Sequence, residues 1–310
     1  MPAQPTRSLT LEAPAKVNLC LAVSYPPQGG FHALASVFQA LSLHDTLTFE
    51  VLPAAGGQPA GELARTQAGT PVALACAGAG VPTRDNLVFK AIDAFEQACG
   101  QAVLTGGSML HVQVRKRIPA GGGLGGGSSD AAAALRACAW LLGRDPLAEP
   151  SLRVAQGLGA DVAFFLHGGC ALMGGRGDVL QQRLPAFPLP LVLLGDAQGN
   201  PTPAVYRAFD AAPAPAPDAR ALADALVAGN VPARQLAALC GNNLGPAACS
   251  LNPSLASRVQ RAAADADVLA AVVSGSGSTC YAVCAGEAQA CSFAQRAAVY
   301  SAWVEVVHAA

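Results

Sequence analysis

The sequence predicts a protein of two domains in which β-strands and α-helices are mixed. The chain has 310 residues, enough for more than one hydrophobic core. Alternating apolar residues between positions 9 and 51 predict strands, and apolar residues at helical spacing recur between 219 and 264. Between these regions, a predicted strand at 111–118 leads into a glycine-rich loop and an alanine-rich helix. This strand, loop and helix form the unit around which we interpret the rest of the chain.

The N-terminal third is predicted as strands. Residues 9–23 alternate at either end around Pro14, which predicts two strands broken at that proline. The break would leave Lys16 and Asn18 beside irregular backbone. Two further strands are predicted at 37–43 and 45–51, around a short turn.

The segments before the glycine-rich loop are a loop and a helix. Residues 52–73 are rich in Gly, Pro and Ala and are predicted as a loop or a variable edge. Residues 87–95 carry an apolar helical face, for which Asp85 is the predicted N-cap.

The glycine-rich loop occupies residues 119–127 and contains six glycines. Glycine loses the most backbone freedom on ordering, so this run indicates that backbone N–H groups approach a bulky anion. No Gly-Lys-Ser/Thr follows, which excludes a Walker A loop, and a dinucleotide fingerprint fits the spacing without being specific. A flexible linker is disfavoured because Ser128, Ser129 and Asp130 are N-cap residues for the helix that follows.

The second half of the chain alternates short helices and strands. Asp161 leads an apolar segment, where it is either a simple N-cap or a functional acid. A serine-glycine loop at 274–279 precedes an alternating strand and is either a second backbone cradle or a hairpin turn. The other predictions are a helix at 152–158, a hairpin of 170–173 with 179–180, a strand at 189–194, and helices at 219–227, 233–239 and 253–264.

Composition excludes several classes of function. The net charge is −1 and no dense basic tract is present, so nucleic acid is not the expected partner. No run of 18 apolar residues predicts a membrane span, and the first residues do not resemble an export signal, so we expect a cytoplasmic protein. The ten cysteines lack Cys-x-x-Cys pairs and zinc-ligand spacing, which predicts free thiols, buried at Cys138, Cys240 and Cys280.

Three separated motifs together resemble the GHMP kinases, the superfamily of galactokinase, homoserine kinase and mevalonate kinase. They are 13–18 (Ala-Pro-Ala-Lys-Val-Asn), the glycine-rich run 119–130, and 274–279 (Ser-Gly-Ser-Gly-Ser-Thr). The resemblance implies an α+β fold with a ribosomal-S5-like β/α domain at 1–175 and a ferredoxin-like α/β domain at 176–310. It also implies an active site in the cleft between them.

Shorter stretches resemble the branch of this superfamily that serves the non-mevalonate isoprenoid pathway. They are 30–32, 37–39, 85–87, 158–162 and 201–203. Those kinases phosphorylate a hydroxyl of a cytidine-diphosphate sugar-alcohol with ATP. The chain departs from the pattern of the branch at Phe31, where tyrosine is usual, and at Ala163, where proline is usual.

The resemblance implies roles at the reacting centre and at the substrate. Asp161 would be the general base, with Lys16 orienting it and offsetting phosphoryl charge. Thr202 and Asn18 match positions near the polyol. Phe31 and Tyr206 match an aromatic sandwich around the cytosine, with His32 hydrogen-bonded to the pyrimidine edge.

The resemblance also implies the ATP site. Asn86 and Lys116 match positions on the adenine side, whereas Arg115 and Arg117 are expected to be solvated strand charges. Mg²⁺ is expected with ATP; its ligands are not defined, and Ser129 is one candidate. The phosphate-binding residues would be Pro119, Ala120, Gly121, Gly122, Gly123, Leu124, Gly125, Gly126, Gly127, Ser128 and Ser129.

Three alternatives remain open from the sequence. One is a GHMP kinase for another small alcohol, such as homoserine or mevalonate. Another is a catalytically inactive binding module, against which the presence of both Lys16 and Asp161 counts. A nicotinamide-dependent oxidoreductase is disfavoured because no predicted strand following the glycines carries an acidic residue about twenty positions after them. The expected partners are small molecules, and the chain is expected to be a monomer or a homodimer.

Overall fold

A computed structural model describes residues 7–27, 29, 31–53, 59–77, 81–196 and 199–310. Two compact units interleave along the chain. The first unit comprises the described residues of Met1–Pro14, His44–Ile118 and Gly126–His167. The second comprises those of Ala15–Leu43, Pro119–Gly125 and Gly168–Ala310. The single domain boundary predicted between 175 and 176 stays a prediction.

The elements are numbered in chain order. The strands are β1 (Ser8–Val23), β2 (Leu34–Pro53), β3 (Glu62–Arg65), β4 (Pro71–Cys76), β5 (Ser108–Arg115), β6 (Cys170–Gly174), β7 (Val179–Leu184), β8 (Leu191–Gly195), β9 (Gly241–Asn242), β10 (Val268–Val273), β11 (Cys280–Cys284) and β12 (Trp303–Val307). The helices are α1 (Leu87–Cys99), α2 (Gly126–Leu141), α3 (Glu149–Leu158), α4 (Ala160–His167), α5 (Thr202–Ala211), α6 (Ala219–Ala228), α7 (Ala233–Ala238), α8 (Gly245–Leu251), α9 (Pro253–Ala263) and α10 (Glu287–Ala297).

Strand β1 is continuous, and the predicted break at Pro14 is wrong. Proline cannot donate to a β-ladder and is tolerated where a strand has no neighbour on that side. The short strand β9 pairs with β1 only at Cys20 and Leu21, so it leaves the Pro14 region of β1 uncovered. Lys16 and Asn18 therefore lie within regular strand rather than beside irregular backbone.

Strand β2 is also continuous, and the turn predicted between 43 and 45 is wrong. Leu41, Leu43, Leu47 and Phe49 are buried at a period of two residues, and Asp45 is buried in the same register. The aspartate resembled a turn residue in the sequence. Its carboxylate is instead satisfied inside the protein, as described below.

The first unit is a sheet covered by helices. Within it, β2 pairs antiparallel with β5, β5 pairs parallel with β4, and β4 pairs antiparallel with β3. Strand β3, at the edge of the sheet, and the start of β4 lie in the stretch 52–73 that was predicted as a loop or a variable edge, of which 54–58 fall outside the described residues. Helices α1 to α4 pack on one another, and the alanines of α2 are buried at that packing.

Two helix starts differ from the prediction. Asn86, not Asp85, is the N-cap of α1, and its side chain accepts a hydrogen bond from the Val88 amide at 2.9 Å. Asp85 ends a short 3-10 turn that precedes the cap. Helix α2 begins at Gly126, so Ser128, Ser129 and Asp130 lie inside its first turns rather than at the cap.

The second unit contains strands from two sheets and the remaining helices. In one sheet β6 pairs with β2 and forms the predicted hairpin with β7. The other sheet has the order β10-β11-β8-β12, all antiparallel, and helices α5, α8, α9 and α10 contribute to the core beside it. The helices predicted at 219–227, 233–239 and 253–264 and the strand after the serine-glycine loop are confirmed.

The cysteines are unpaired, as predicted, but one of the three that were expected to be buried is only half-buried. All ten cysteines are free thiols, with Cys138 and Cys280 buried and Cys240 half-buried. Burial raises the pKa of the Cys280 and Cys240 thiols to about 12, so they stay protonated. Across the described ranges, no helix has the length and apolar character needed to cross a membrane.

Candidate active site

The glycine loop is held against β1 and the serine-glycine loop. Within the second unit, the Leu124 carbonyl accepts from the Lys16 amide at 2.9 Å. The Gly122 carbonyl accepts from the Thr279 amide at 3.2 Å, and the Gly123 carbonyl accepts from the Ser274 hydroxyl at 3.2 Å. The glycine loop is therefore hydrogen-bonded to the serine-glycine loop, which was predicted to be either a second cradle or a hairpin turn.

Two glycines of the loop are required by this contact. A Cβ on Gly122 would lie 2.6 Å from Thr279 Oγ1, and one on Gly123 would lie 2.5 Å from the Ser274 carbonyl oxygen. Gly123 also has φ +77°, a conformation that other residues rarely adopt. The close approach that excludes a side chain here comes from the protein's own second loop, whereas the sequence suggested a bound anion.

Lys16 and Asn18 form a buried polar pair in β1. The Lys16 ammonium donates to Asn18 Oδ1 at 2.7 Å, and Asn18 Nδ2 donates to the Ser36 hydroxyl at 2.9 Å. Ser36 in turn donates to the Cys20 carbonyl at 2.8 Å. Both Lys16 and Asn18 are buried. The series of hydrogen bonds from Lys16 to the Cys20 carbonyl therefore fixes the Asn18 amide and the Lys16 ammonium group together.

His32 lies among aromatic side chains of α5. Its ring centroid is 5.4 Å from that of Tyr206 and 5.8 Å from that of Phe209. Its Nδ1 is 2.7 Å from the Ser24 carbonyl oxygen, and its Nε2 is 3.0 Å from Asp210 Oδ1. The protein thus provides a hydrogen-bond partner for Nδ1 of the histidine that was predicted to bind the pyrimidine edge, while Nε2 lies at ion-pair distance from Asp210.

The other predicted substrate residues are placed as follows. Phe31 is exposed, with the Arg176 guanidinium 5.4 Å from its ring centroid. Thr202 is the first residue of α5, and its hydroxyl is 2.8 Å from that of Ser276. Gly30, which completes the 30–32 motif, lies outside the described residues.

In the first unit, Lys116 is bound by two carboxylates. Its ammonium donates to Asp45 Oδ2, and to Asp130 Oδ2 at 2.7 Å. Asp45 Oδ1 accepts from the amides of Arg117 and Ile118 at 2.5 and 2.9 Å. Asp45 was missed as a site residue, since no sequence motif distinguishes a buried strand aspartate from a turn aspartate.

The same cluster shifts two pKa values. Burial raises the pKa of Asp130 to about 6, even though Lys116 lies beside it. Burial works to lower the pKa of Lys116, but the charges and hydrogen bonds of Asp130 and Asp45 outweigh it, so the pKa is raised. Lys116 is therefore a paired cation rather than a free one.

A cavity of about 660 Å³ opens in the first unit. Leu74, Val81 and Val114 supply apolar walls, and Asn86 and Arg115 supply polar ones. Arg115 was predicted to be only a solvated strand charge; it is exposed, but it also lines this cavity. An apolar cleft with a few polar groups is typical of a small-molecule site.

Asp161 and Ser129 occupy the first turns of two helices in the first unit. Asp161 is the second residue of α4 and is partly exposed. Ser129 is buried in α2, and its hydroxyl has no hydrogen-bond partner among the described residues. No cluster of three His, Cys, Asp or Glu side chains that could hold a metal ion occurs in the part of the chain that the structure describes.

Known proteins resemble the chain over most of its length. The model of the GHMP kinase N-terminal domain matches residues 86–169, and that of the GHMP kinase C-terminal domain matches residues 224–302. A 4-diphosphocytidyl-2-C-methyl-D-erythritol kinase from Streptomyces coelicolor is 40% identical over 282 residues, covering 88% of this chain and 86% of that protein. The chain belongs to the 4-diphosphocytidyl-2-C-methyl-D-erythritol kinase family.

Other members of this kinase family agree in sequence and structure. The relative from Paramagnetospirillum magneticum is 37% identical over 304 residues, covering 96% of each chain. A crystal structure of 4-(cytidine 5'-diphospho)-2C-methyl-D-erythritol kinase matches with a TM-score of 0.71 and 30% identity, covering 97% of this chain and all of that one. The predicted α+β GHMP kinase fold is thereby confirmed, and the chain is an ATP-dependent kinase.

Proposed function

We propose that this chain transfers the γ-phosphoryl group of ATP to the 2-hydroxyl of 4-diphosphocytidyl-2-C-methyl-D-erythritol. The products are the 2-phosphate and ADP, formed on the non-mevalonate route to isoprenoid precursors. The observation that carries the proposal is the buried Lys16–Asn18 pair beside two hydrogen-bonded glycine loops. It occurs in a chain whose relatives carry that substrate in their name.

The phosphoryl-transfer chemistry depends on charge and position. The transition state is loose and places negative charge on phosphoryl oxygens, so the protein mainly positions reactants and neutralises charge. The glycine loop and the N-terminal turn of α2 supply amides and a favourable dipole for the triphosphate. Lys16 offsets phosphoryl charge, and Asp161 accepts the proton of the hydroxyl, which becomes acidic as its bond to phosphorus forms.

The adenine side is the cavity of the first unit. Its apolar walls suit a nucleobase, and Asn86 lies among its polar groups. Lys116, which the resemblance assigns to this side, has its ammonium bound by Asp45 and Asp130.

The cytidine side is formed by Phe31, His32 and Tyr206. Stacking of a base on an aromatic ring contributes about 1–3 kcal/mol. Because Nδ1 of His32 is hydrogen-bonded to the Ser24 carbonyl and its ring lies beside those of Tyr206 and Phe209, the ring is oriented before the substrate arrives. Asn18 and Thr202 bind the polyol.

Mg²⁺ accompanies ATP in this proposal. The buried Ser129 hydroxyl lacks a hydrogen-bond partner among the described residues, and Mg²⁺ prefers such hard oxygen ligands. Ser129 therefore fits as one protein ligand of an ion that neutralises phosphate charge when bound.

A substrate screen tests the proposal. ADP release is measured with ATP and 4-diphosphocytidyl-2-C-methyl-D-erythritol, and the phosphorylated position is identified by ³¹P NMR. We expect turnover with this substrate and product phosphorylated at the 2-position. Turnover only with homoserine or mevalonate would assign the chain to another substrate, and no ADP release with any alcohol would make it a binding module.

A further inference from the structure

The serine-glycine loop, residues 274–279, has its carbonyl groups held by side chains from other elements of the second unit. Asn242 Nδ2 donates to the carbonyls of Val273 and Gly275 at 2.8 and 2.7 Å. Asn200 Nδ2 donates to the Ser276 carbonyl at 3.1 Å. Arg258 Nη2 donates to the Ser278 carbonyl at 3.2 Å. Four of the six carbonyl groups of residues 273–278 thus accept hydrogen bonds from side chains of the protein.

Asn242 is itself fixed in orientation. It lies in β9, paired with Leu21 of β1, and its Oδ1 accepts from the Leu244 amide at 2.9 Å. This second bond assigns the amide nitrogen to the loop side, because only that nitrogen can donate to two carbonyls. A single side chain therefore holds two peptide groups of this segment, the one between Val273 and Ser274 and the one between Gly275 and Ser276.

The amides of Gly275 and Ser276 are left available by this arrangement. Within the described ranges, the amides of Ser274, Gly277 and Thr279 have backbone acceptors, whereas those of Gly275 and Ser276 have none. Both residues are partly exposed, and Gly275 has φ +57°. Consecutive free amides around a left-handed residue form a concavity that binds anions.

A positive charge and a hydroxyl lie beside these amides. A Cβ built on Gly275 would be 3.7 Å from the Lys16 ammonium nitrogen. The Ser276 hydroxyl is 2.8 Å from that of Thr202. An ammonium group lies near Gly275 and a pair of hydroxyls includes that of Ser276, and donors of these kinds suit the oxygens of a phosphoryl group.

We infer that Asn242 is a positioning residue that, through the Gly275 carbonyl, turns the Ser276 amide toward a phosphoryl oxyanion beside Lys16. The inference rests on the proposed function. The oxyanion belongs either to the phosphoryl group in transfer or to the diphosphate of the cytidine substrate. Asn242 touches neither; it acts through the direction of the loop amides.

The adjacent Asn243 provides a matched control. It is buried and bonds to main chain in the same way, with Oδ1 accepting from the Val23 amide at 2.8 Å and Nδ2 donating to the Val23 carbonyl at 2.9 Å. It makes no hydrogen bond to the serine-glycine loop among the described residues. Asn243→Ala therefore reproduces the loss of a buried amide without releasing that loop.

The kinetic test compares Asn242→Ala with Asn243→Ala at equal temperature below both unfolding transitions. We expect kcat/KM for the cytidine substrate to fall about tenfold to a hundredfold in Asn242→Ala alone. A fall in kcat with unchanged KM values assigns the oxyanion to the transferred group, and a rise in KM for the cytidine substrate alone assigns it to the diphosphate. Equal losses in the two variants, or a change confined to KM for ATP, overturn the inference.

A binding test separates this inference from the proposed function. Backbone amide resonances of Gly275 and Ser276 are followed by ¹⁵N NMR while inorganic pyrophosphate is added. We expect both to shift in the wild-type chain and the apparent affinity to weaken in Asn242→Ala. This result in a chain without kinase activity would refute the proposed function and retain the oxyanion site. Unresponsive amides in an active kinase would refute the site.

Discussion

The Lys16 ammonium donates to Asn18 Oδ1 at 2.7 Å, and both side chains are buried in β1. We expect Asn18→Leu to lower the free energy of unfolding by about 1–3 kcal/mol, because a buried charged donor loses this acceptor. Turnover should fall as well, since the ammonium is no longer held in place. Urea unfolding and steady-state kinetics measure the two effects.

The control for this variant is Ser36→Ala, one step further along the same hydrogen-bond chain. It leaves the bond between Lys16 and Asn18 intact, so it should cost stability while changing turnover much less. A loss of turnover in Ser36→Ala equal to that in Asn18→Leu would contradict a direct role of the Lys16–Asn18 pair.

Asp161→Asn separates catalysis from nucleotide binding. Because the proposed role of Asp161 is to accept a proton, the variant should lose far more in kcat than it changes in KM for ATP. Rapid-quench or coupled assays at saturating ATP measure kcat. Comparable losses in both quantities would mean that Asp161 organises the ATP site instead.

Gly123→Ala tests the contact between the two loops. The added Cβ would lie 2.5 Å from the Ser274 carbonyl oxygen at a position with φ +77°, so we expect a destabilisation of roughly 2–4 kcal/mol. Gly143→Ala is the matched control, because Gly143 has φ +62° and open space at its Cβ. It should cost only about 1 kcal/mol. If the two variants had similar unfolding free energies, the contact between the loops would not be the reason why position 123 requires glycine.

The raised pKa of Asp130 predicts how the free energy of unfolding changes with pH. Its pKa is raised to about 6 in the folded chain, from the ordinary value of 3.8. The folded state therefore binds more protons than the unfolded state between these values, so this group makes the free energy of unfolding fall as pH rises through that window. The unfolding free energy of wild type minus that of Asp130→Asn should fall by about 1–2 kcal/mol from pH 4.5 to 7.5.

Urea unfolding at the two pH values measures this difference, with Asp224→Asn at an exposed position of α6 as the charge control. A difference between wild type and Asp130→Asn that stays constant with pH would show that Asp130 titrates normally. Asp130→Asn also loses the contact with Lys116. That loss lowers the unfolding free energy of the variant equally at both pH values, so it does not make the difference from wild type change with pH.

The sequence predicted the motifs and half of the helices that follow α2, because local patterns encode them; α4, α5, α8 and α10 were not predicted as helices. Asp45 and Pro14 show where local patterns fail. Asp45 resembles a turn residue until the Lys116 ammonium and two backbone amides are placed against its carboxylate. Pro14 resembles a strand break until β9 is seen to cover β1 only at Cys20 and Leu21.

In the candidate site, too, some residues could be predicted from local patterns and others could not. Lys16, the glycine loop and the serine-glycine loop belong to sequence motifs, whereas Asn242 and Arg258 act on a loop that follows them by 16 to 32 positions. The effect of Asn242 and Arg258 depends on tertiary contacts, which cannot be read from the residue pattern around either asparagine or arginine.

The interleaved course of the chain constrains the order in which the protein can form during synthesis. In the second unit, β1 pairs with β9 at Gly241–Asn242, and residues 40–42 of β2 form hydrogen bonds with residues 308–310. These pairings form only after the later segments have been synthesised. The ribosome must therefore release nearly all of the printed sequence before this unit can close. Lys16 acquires its surroundings only after Leu124 and Gly275, which follow it by more than 100 and more than 250 positions, have been synthesised.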